Sequence, residues 1–135
     1  LEAAVGRVVR RDPAISLEHY RAGDVDAELL ALADATGRAR EELTHLVERA
    51  TARIGATEAG VFEAHLAILD DPAFQGPVRD DIRAGQSAPE AVGRRAGELR
   101  DQFEGLADAY QRERGEDVTR VGERLLRALS GAEVE

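Results

Sequence analysis

The chain has 135 residues, with 27 acidic against 18 basic side chains for a net charge of −9, and no cysteine. That length is one domain with room for a sizeable core. The acidic balance argues against nucleic acid as partner and favours a protein with a basic face, while the missing cysteines exclude a disulfide framework and any thiolate ligand or nucleophile. No apolar run approaches the ~18 residues of a membrane span and no signal-peptide pattern opens the chain, so no membrane is expected; the missing cysteines fit a reducing cytoplasm, which is the expected location. Residue 1 is Leu, from which a piece of a longer protein is expected.

In chain order, Ala4–Arg10 (AVGRVVR) is short and β-branched and reads as one strand, which forms no sheet alone. Pro13 to Gly23 is a connector, so residues 1–23 are taken as strand plus connector. From Val25 the pattern is helical for about eight turns. Leu29, Leu32, Thr36, Ala39, Leu43, Leu46 and Ala50 repeat at spacings of three and four, with Ile54 one turn on. Thr36 is the polar member of that seam, and Gly37 beside it marks its weakest point. Gly55 ends the helix as a left-handed cap.

A second helix is predicted from Thr57, its N-cap, to Asp70, with Pro72 as the break. A short, weaker helix covers Gln75–Ala84 and is closed by Gly85. Ser87-Ala-Pro-Glu90 is a capping box with proline in the first turn. Val92, Ala96, Leu99, Phe103 and Leu106 follow as another seam, and the last helix carries Tyr110, Val118, Val121, Leu125 and Leu129 before Gly131. Four principal helices joined by short turns predict an all-α, antiparallel four-helix bundle over residues 24–131, with Ala132–Glu135 a frayed tail.

Three histidines are the first candidates for chemistry. His65 has two readings: a hydrogen-bonded residue at the edge of the core, or an exposed group on a docking face shortly before Asp70–Asp71. His45 belongs to Glu42-Leu-Thr-His45, half of the E-x-x-H pair of a di-metal carboxylate bundle. The other half is missing, since Phe62 and Ser16 stand three residues before His65 and His19. His19 reads as an exposed connector residue. Asp70–Asp71 and Asp80–Asp81 point about 100° apart on a helix and so do not converge on one ion. Arg112-Glu-Arg114-Gly-Glu116-Asp117 is a dense charge run, in which Arg114 shares the seam side with Tyr110 and Val118 and calls for a carboxylate from a neighbouring helix or across an interface. No Gly-rich phosphate loop, Walker motif or nucleophile elbow is present.

Two stretches carry a resemblance. VFEAHLAILDDP (61–72) is similar to an I-F-E-x-H pattern followed by an apolar run and an acidic end. Tyr110–Gly131 keeps Tyr110, Glu113, Arg114, Asp117, Val118, Arg124, Leu125 and Leu126 of a Y-x-x-E-R-x-x-D-V-x-x-x-x-x-R-L-L pattern. Together with Ala4–Val9, Asp24–Gly55 and Ala88–Val92, these resemble the helical part of the N-terminal domain of Enzyme I, the phosphoenolpyruvate–protein phosphotransferase that charges the carrier protein HPr. The resemblance implies a helical subdomain inserted into an α/β phosphohistidine subdomain, with HPr docking on the helices. The active-site histidine of that family lies further on in a Gly-Gly…Ser-His motif, before which this sequence stops.

These residues are then not catalytic by themselves and hold no cofactor. Phosphoenolpyruvate and Mg are implied for a full-length parent that dimerises through a C-terminal domain. By position, the docking face implied by the resemblance uses Thr57, Glu58, His65, Ile68, Asp71, Phe74 and Arg114. Ile68 and Phe74 fill the partner's groove, Asp71 and Arg114 fix register or pair with each other, and His65 hydrogen-bonds at the centre. Ala56, Thr57, Pro72 and Ala73 are neutral where relatives often carry acids, which weakens steering of a basic carrier. A fused relative such as the phosphotransferase subunit of a dihydroxyacetone kinase is the alternative parent, and a di-metal bundle the alternative of another class.

Overall fold

Five helices organise the described part of the computed structural model, residues 17–53, 55–106 and 108–131, and no strand occurs among them. They are α1 (Val25–Arg53), α2 (Ala56–Asp70), α3 (Pro72–Arg83), α4 (Ala88–Glu104) and α5 (Ala109–Ser130). The expected strand at Ala4–Arg10, Ile54 and the tail Ala132–Glu135 lie outside the described residues. No helix among the described residues is long and apolar enough to cross a membrane.

The Asp24 side chain opens α1 by accepting from the Ala27 N–H at 2.9 Å. The seam turns Leu32, Ala35, Thr36, Ala39, Leu43 and Ala50 inward, while Leu29 and Leu46 are only partly buried. The helix passes unbroken through Thr36–Gly37. Thr36 is buried because its Oγ1 accepts from Gln75 Nε2 at 3.2 Å, and the same amide donates to the Leu69 carbonyl at 2.9 Å. A satisfied polar bridge between α1 and α3 therefore replaces an apolar contact at that level.

Gly55, at φ +132°, donates to the Ala50 carbonyl at 2.8 Å and reverses the chain. It is also the N-cap of α2, without side-chain capping, so the expected Thr57 cap is not used and Thr57 lies exposed in the first turn.

The predicted short helix starts earlier and contributes more than its sequence indicates. Asp71 caps α3 by accepting from the Ala73 N–H at 2.9 Å, with Pro72 in the first turn, so the residue that ends α2 also begins α3. Pro77 lies inside α3 and cannot donate to the carbonyl four residues back, that of Ala73. Arg95 Nε of α4 donates to that carbonyl at 3.1 Å instead. Phe74, Gln75, Val78 and Ile82 are buried from this helix. Gly85, at φ +113°, closes it with Gly85 N–H to Ile82 and Gln86 N–H to Asp81, at 2.9 and 3.0 Å.

The Ser87–Glu90 capping box forms in both directions, and α4 then buries Ala88, Ala91, Val92 and Ala96. Leu106 lies past the helix end and is exposed. Asp108 caps α5, which buries Gly115, Val118, Val121, Gly122, Leu125 and Ala128, whereas Tyr110 is not in the core. The pairs Arg38–Ala128 and Arg124–Glu42 climb one helix while descending the other, so α1 and α5 run antiparallel. The α4–α5 pair is the most extensive and is tightly packed at Gly122, where a Cβ would stand 2.8 Å from the Ala96 Cβ. Overpacking outweighs the gain in helix propensity there, so Gly122→Val is expected to destabilise by about 1–3 kcal/mol in urea unfolding.

Candidate functional site

One end of the molecule brings the first turns of α2 beside the first turns of α5. Thr57, Gly60, Val61 and Ala64 form a stripe on α2, and Tyr110, Glu113, Arg114 and Asp117 form one on α5, each at the spacing of a single helical face. Between them is a shallow cleft of about 240 Å³. Its apolar material is exposed: Val61 at 47% and Tyr110 at 59%. Arg114 lies over the Tyr110 ring, 5.6 Å from its centroid, and donates to the Tyr110 hydroxyl at 3.3 Å.

Asp117 closes the inner wall. Its Oδ1 is 3.2 Å from His65 Nε2, which joins α5 to α2. His65 is 7% exposed and makes a T-shaped contact with Phe62, at 82° between ring planes. It therefore stands behind Asp117, supporting the cleft and not lining it.

The expected docking residues divide accordingly. Thr57 and Arg114 line the cleft, His65 sits behind it, and Glu58 is exposed on the adjoining turn of α2, where its charge suits the helix N-terminus. Ile68 and Phe74 are core residues, 7% and 1% exposed, and do not offer the apolar face expected of them. The expected Asp71–Arg114 pair does not form: Asp71 is committed to the cap of α3, and Arg114 to Tyr110. Val61, Tyr110 and Asp117 were not singled out by sequence as site residues. Their periodicity with Thr57 and Arg114 is the available signal.

Glu42 accepts from Arg124 at 2.8 Å and His45 faces solvent, so the half-motif of the di-metal reading is not assembled. Among the described residues, no group of three or more His, Asp or Glu is placed to hold a metal ion. A wider depression of about 640 Å³, lined by Glu104, Arg112, Glu113 and Glu116 with Ala109, has charged walls and no large apolar anchor.

Sequence comparison gives this geometry its family. The model described as "PEP-utilising enzyme, N-terminal" matches residues 2–114. The chain belongs to that family. Among its relatives, the phosphoenolpyruvate-protein phosphotransferase of Geobacillus stearothermophilus is 31% identical over 133 residues, covering 97% of this chain and 23% of that protein. That of Enterococcus faecalis is 34% identical over 121 residues, covering 88% and 21%. The chain thus spans about a quarter of the length of these PEP-utilising relatives.

Solved structures agree. A solution structure of Enzyme I (nEIt) matches with a TM-score of 0.80 at 29% identity, over 88% of this chain and 48% of that one. The N-terminal domain of Enzyme 1-Nitrogen shares the fold, with a TM-score of 0.76 at 24% identity. The PEP-utilising N-terminal match thus takes in α1–α4 and the start of α5, and the Enzyme I N-terminal fold matches 88% of the chain. Of the pattern that carries the resemblance, Tyr110, Arg114 and Asp117 face the cleft, Val118 and Leu125 enter the core, and Arg124 ties α5 to Glu42.

Proposed function

We propose that these helices are the docking subdomain of an Enzyme I-type phosphoenolpyruvate–protein phosphotransferase, receiving an HPr-type carrier on the α2–α5 cleft. Phosphoryl transfer then proceeds from a phosphohistidine that is not among these residues, and phosphoenolpyruvate and Mg act there as well. The observation that carries this reading is the cleft itself. Two exposed apolar side chains, Val61 and Tyr110, are flanked by Thr57, Glu58, Glu113 and Arg114, which is the apolar centre and polar rim of a docking surface. The match to about half of a solved Enzyme I structure supports it.

In this reading Val61 and the Tyr110–Arg114 stack are the anchors. Glu58 and Glu113 supply negative charge for a basic partner, and the net charge of −9 steers its approach. Asp117, fixed by His65, sets the depth of the cleft. The test is calorimetric. Val61→Glu and Arg114→Glu are each expected to weaken binding of an HPr-type carrier at least tenfold, with melting temperatures within a few degrees of the parent chain. Unchanged affinity in both variants would remove the cleft from the interface.

A further inference from the structure

Glu28 is the most deeply buried acidic side chain among the described residues. It sits one turn into α1 and is 4% exposed. Oε1 accepts from the Tyr20 hydroxyl and from the Ala88 N–H, both at 2.8 Å, and Oε2 accepts from the Gly23 N–H at 2.7 Å. Two of these donors belong to the connector before α1, and the third to the first turn of α4. A carboxylate can take all three because it presents only acceptors.

We propose that Glu28 is a latch that fastens the connector 17–24 onto the helical bundle, joining it to the first turn of α4. Three features support this. First, the Gly23 and Tyr20 donors are spent on the bundle and not on a turn of the connector's own; its internal backbone bond is Tyr20 N–H to Leu17 at 3.1 Å. Second, the carboxylate is desolvated, so its bonds are worth more than exposed ones and water competes weakly for them. Third, the two backbone amides use different oxygens of the carboxylate. Ala88 holds the carboxylate in the bundle through Oε1, while Gly23 depends on Oε2 alone. The inference does not depend on what the cleft binds.

That division gives a selective test. In Glu28→Gln, the amide oxygen can still serve Ala88 and Tyr20, but the NH2 group opposes the Gly23 N–H, donor against donor. Amide exchange is measured by NMR on the 135-residue chain, reading Gly23, Ala88 and the core residue Leu43. Protection at Gly23 is expected to fall at least tenfold while Ala88 and Leu43 hold within about threefold. Tyr20→Phe, which leaves the carboxylate in place, is expected to lower protection at Gly23 severalfold and leave the other two unchanged. Parent-like protection at Gly23 in Glu28→Gln overturns the latch. So does an equal loss at all three amides, because Glu28 would then support the whole fold without holding the connector in particular.

Discussion

Phe74→Ala is expected to cost about 3–5 kcal/mol of folding stability, enough to lower the melting temperature by more than about 10 °C. Phe74 is the largest of the fully buried side chains and lies in one cluster with Leu43, Leu69, Val78, Ile82 and Val92. Removing the ring leaves a cavity among elements already pinned by the Gln75–Thr36 and Arg95–Ala73 bonds, so the site cannot collapse cheaply. The same measurement separates two roles for this residue. A groove-filling Phe74 would lose partner affinity and keep its melting temperature, whereas a core Phe74 loses stability first. Thermal unfolding followed by circular dichroism decides it, and a shift of only a degree or two would mean that α3 does not pack as described. Ile68→Glu belongs with it, since it places a charge at a position 7% exposed.

Glu28→Ala is the second large effect, at about 3 kcal/mol, because it strands the Ala88 and Gly23 amides and the Tyr20 hydroxyl together. The loss should depend on pH. Burial acts to raise the Glu28 pKa, but hydrogen bonds from Ala88, Gly23 and Tyr20 outweigh it and hold the carboxyl below the usual range. A carboxyl whose pKa is lower folded than unfolded contributes stability above its unfolded value, about 4.3, and loses it as pH falls through the folded value. The melting-temperature gap between the parent chain and Glu28→Ala should thus be full at pH 7 and narrow steadily below about pH 4. The Tyr20 hydroxyl is pushed upward by burial, with its bond to Glu28 and the nearby charge adding to this, so it stays protonated throughout that range. A gap that is constant from pH 7 to pH 3 would contradict a Glu28 carboxyl held lower in the folded chain than in the unfolded one.

Much of this architecture is legible in the sequence, for identifiable reasons. The seam from Leu32 to Ala50 has helical spacing, the Ser87–Glu90 box satisfies two amides at once, and Gly85 and Pro72 act only locally. These are short-range signals. α3 is under-read because Gly76 and Pro77 depress its propensity, and what rescues it is Arg95, 22 residues along the chain. Glu28 is invisible for the same reason: one more acid in an acidic first turn, until the connector and α4 arrive on it.

The site is legible in part. The two patterned stretches locate it on α2 and α5, but spacing does not fix which end of a stripe stays open. Val61, Ala64 and Ile68 share one face of α2. Val61 is exposed, whereas Ile68 is covered at the end where the chain turns at Asp71 into α3. The apolar surface left available on this face of α2 is therefore at its N-terminal turns.

The most direct test of the docking account is to label this chain with nitrogen-15 and titrate it with an unlabelled HPr-type carrier. Amide shifts are expected to concentrate in residues 57–64 and 110–117, with Phe74, Val78 and Ile82 unmoved and the pattern lost in Val61→Glu. Shifts centred on α3, or spread evenly over all five helices, would contradict it.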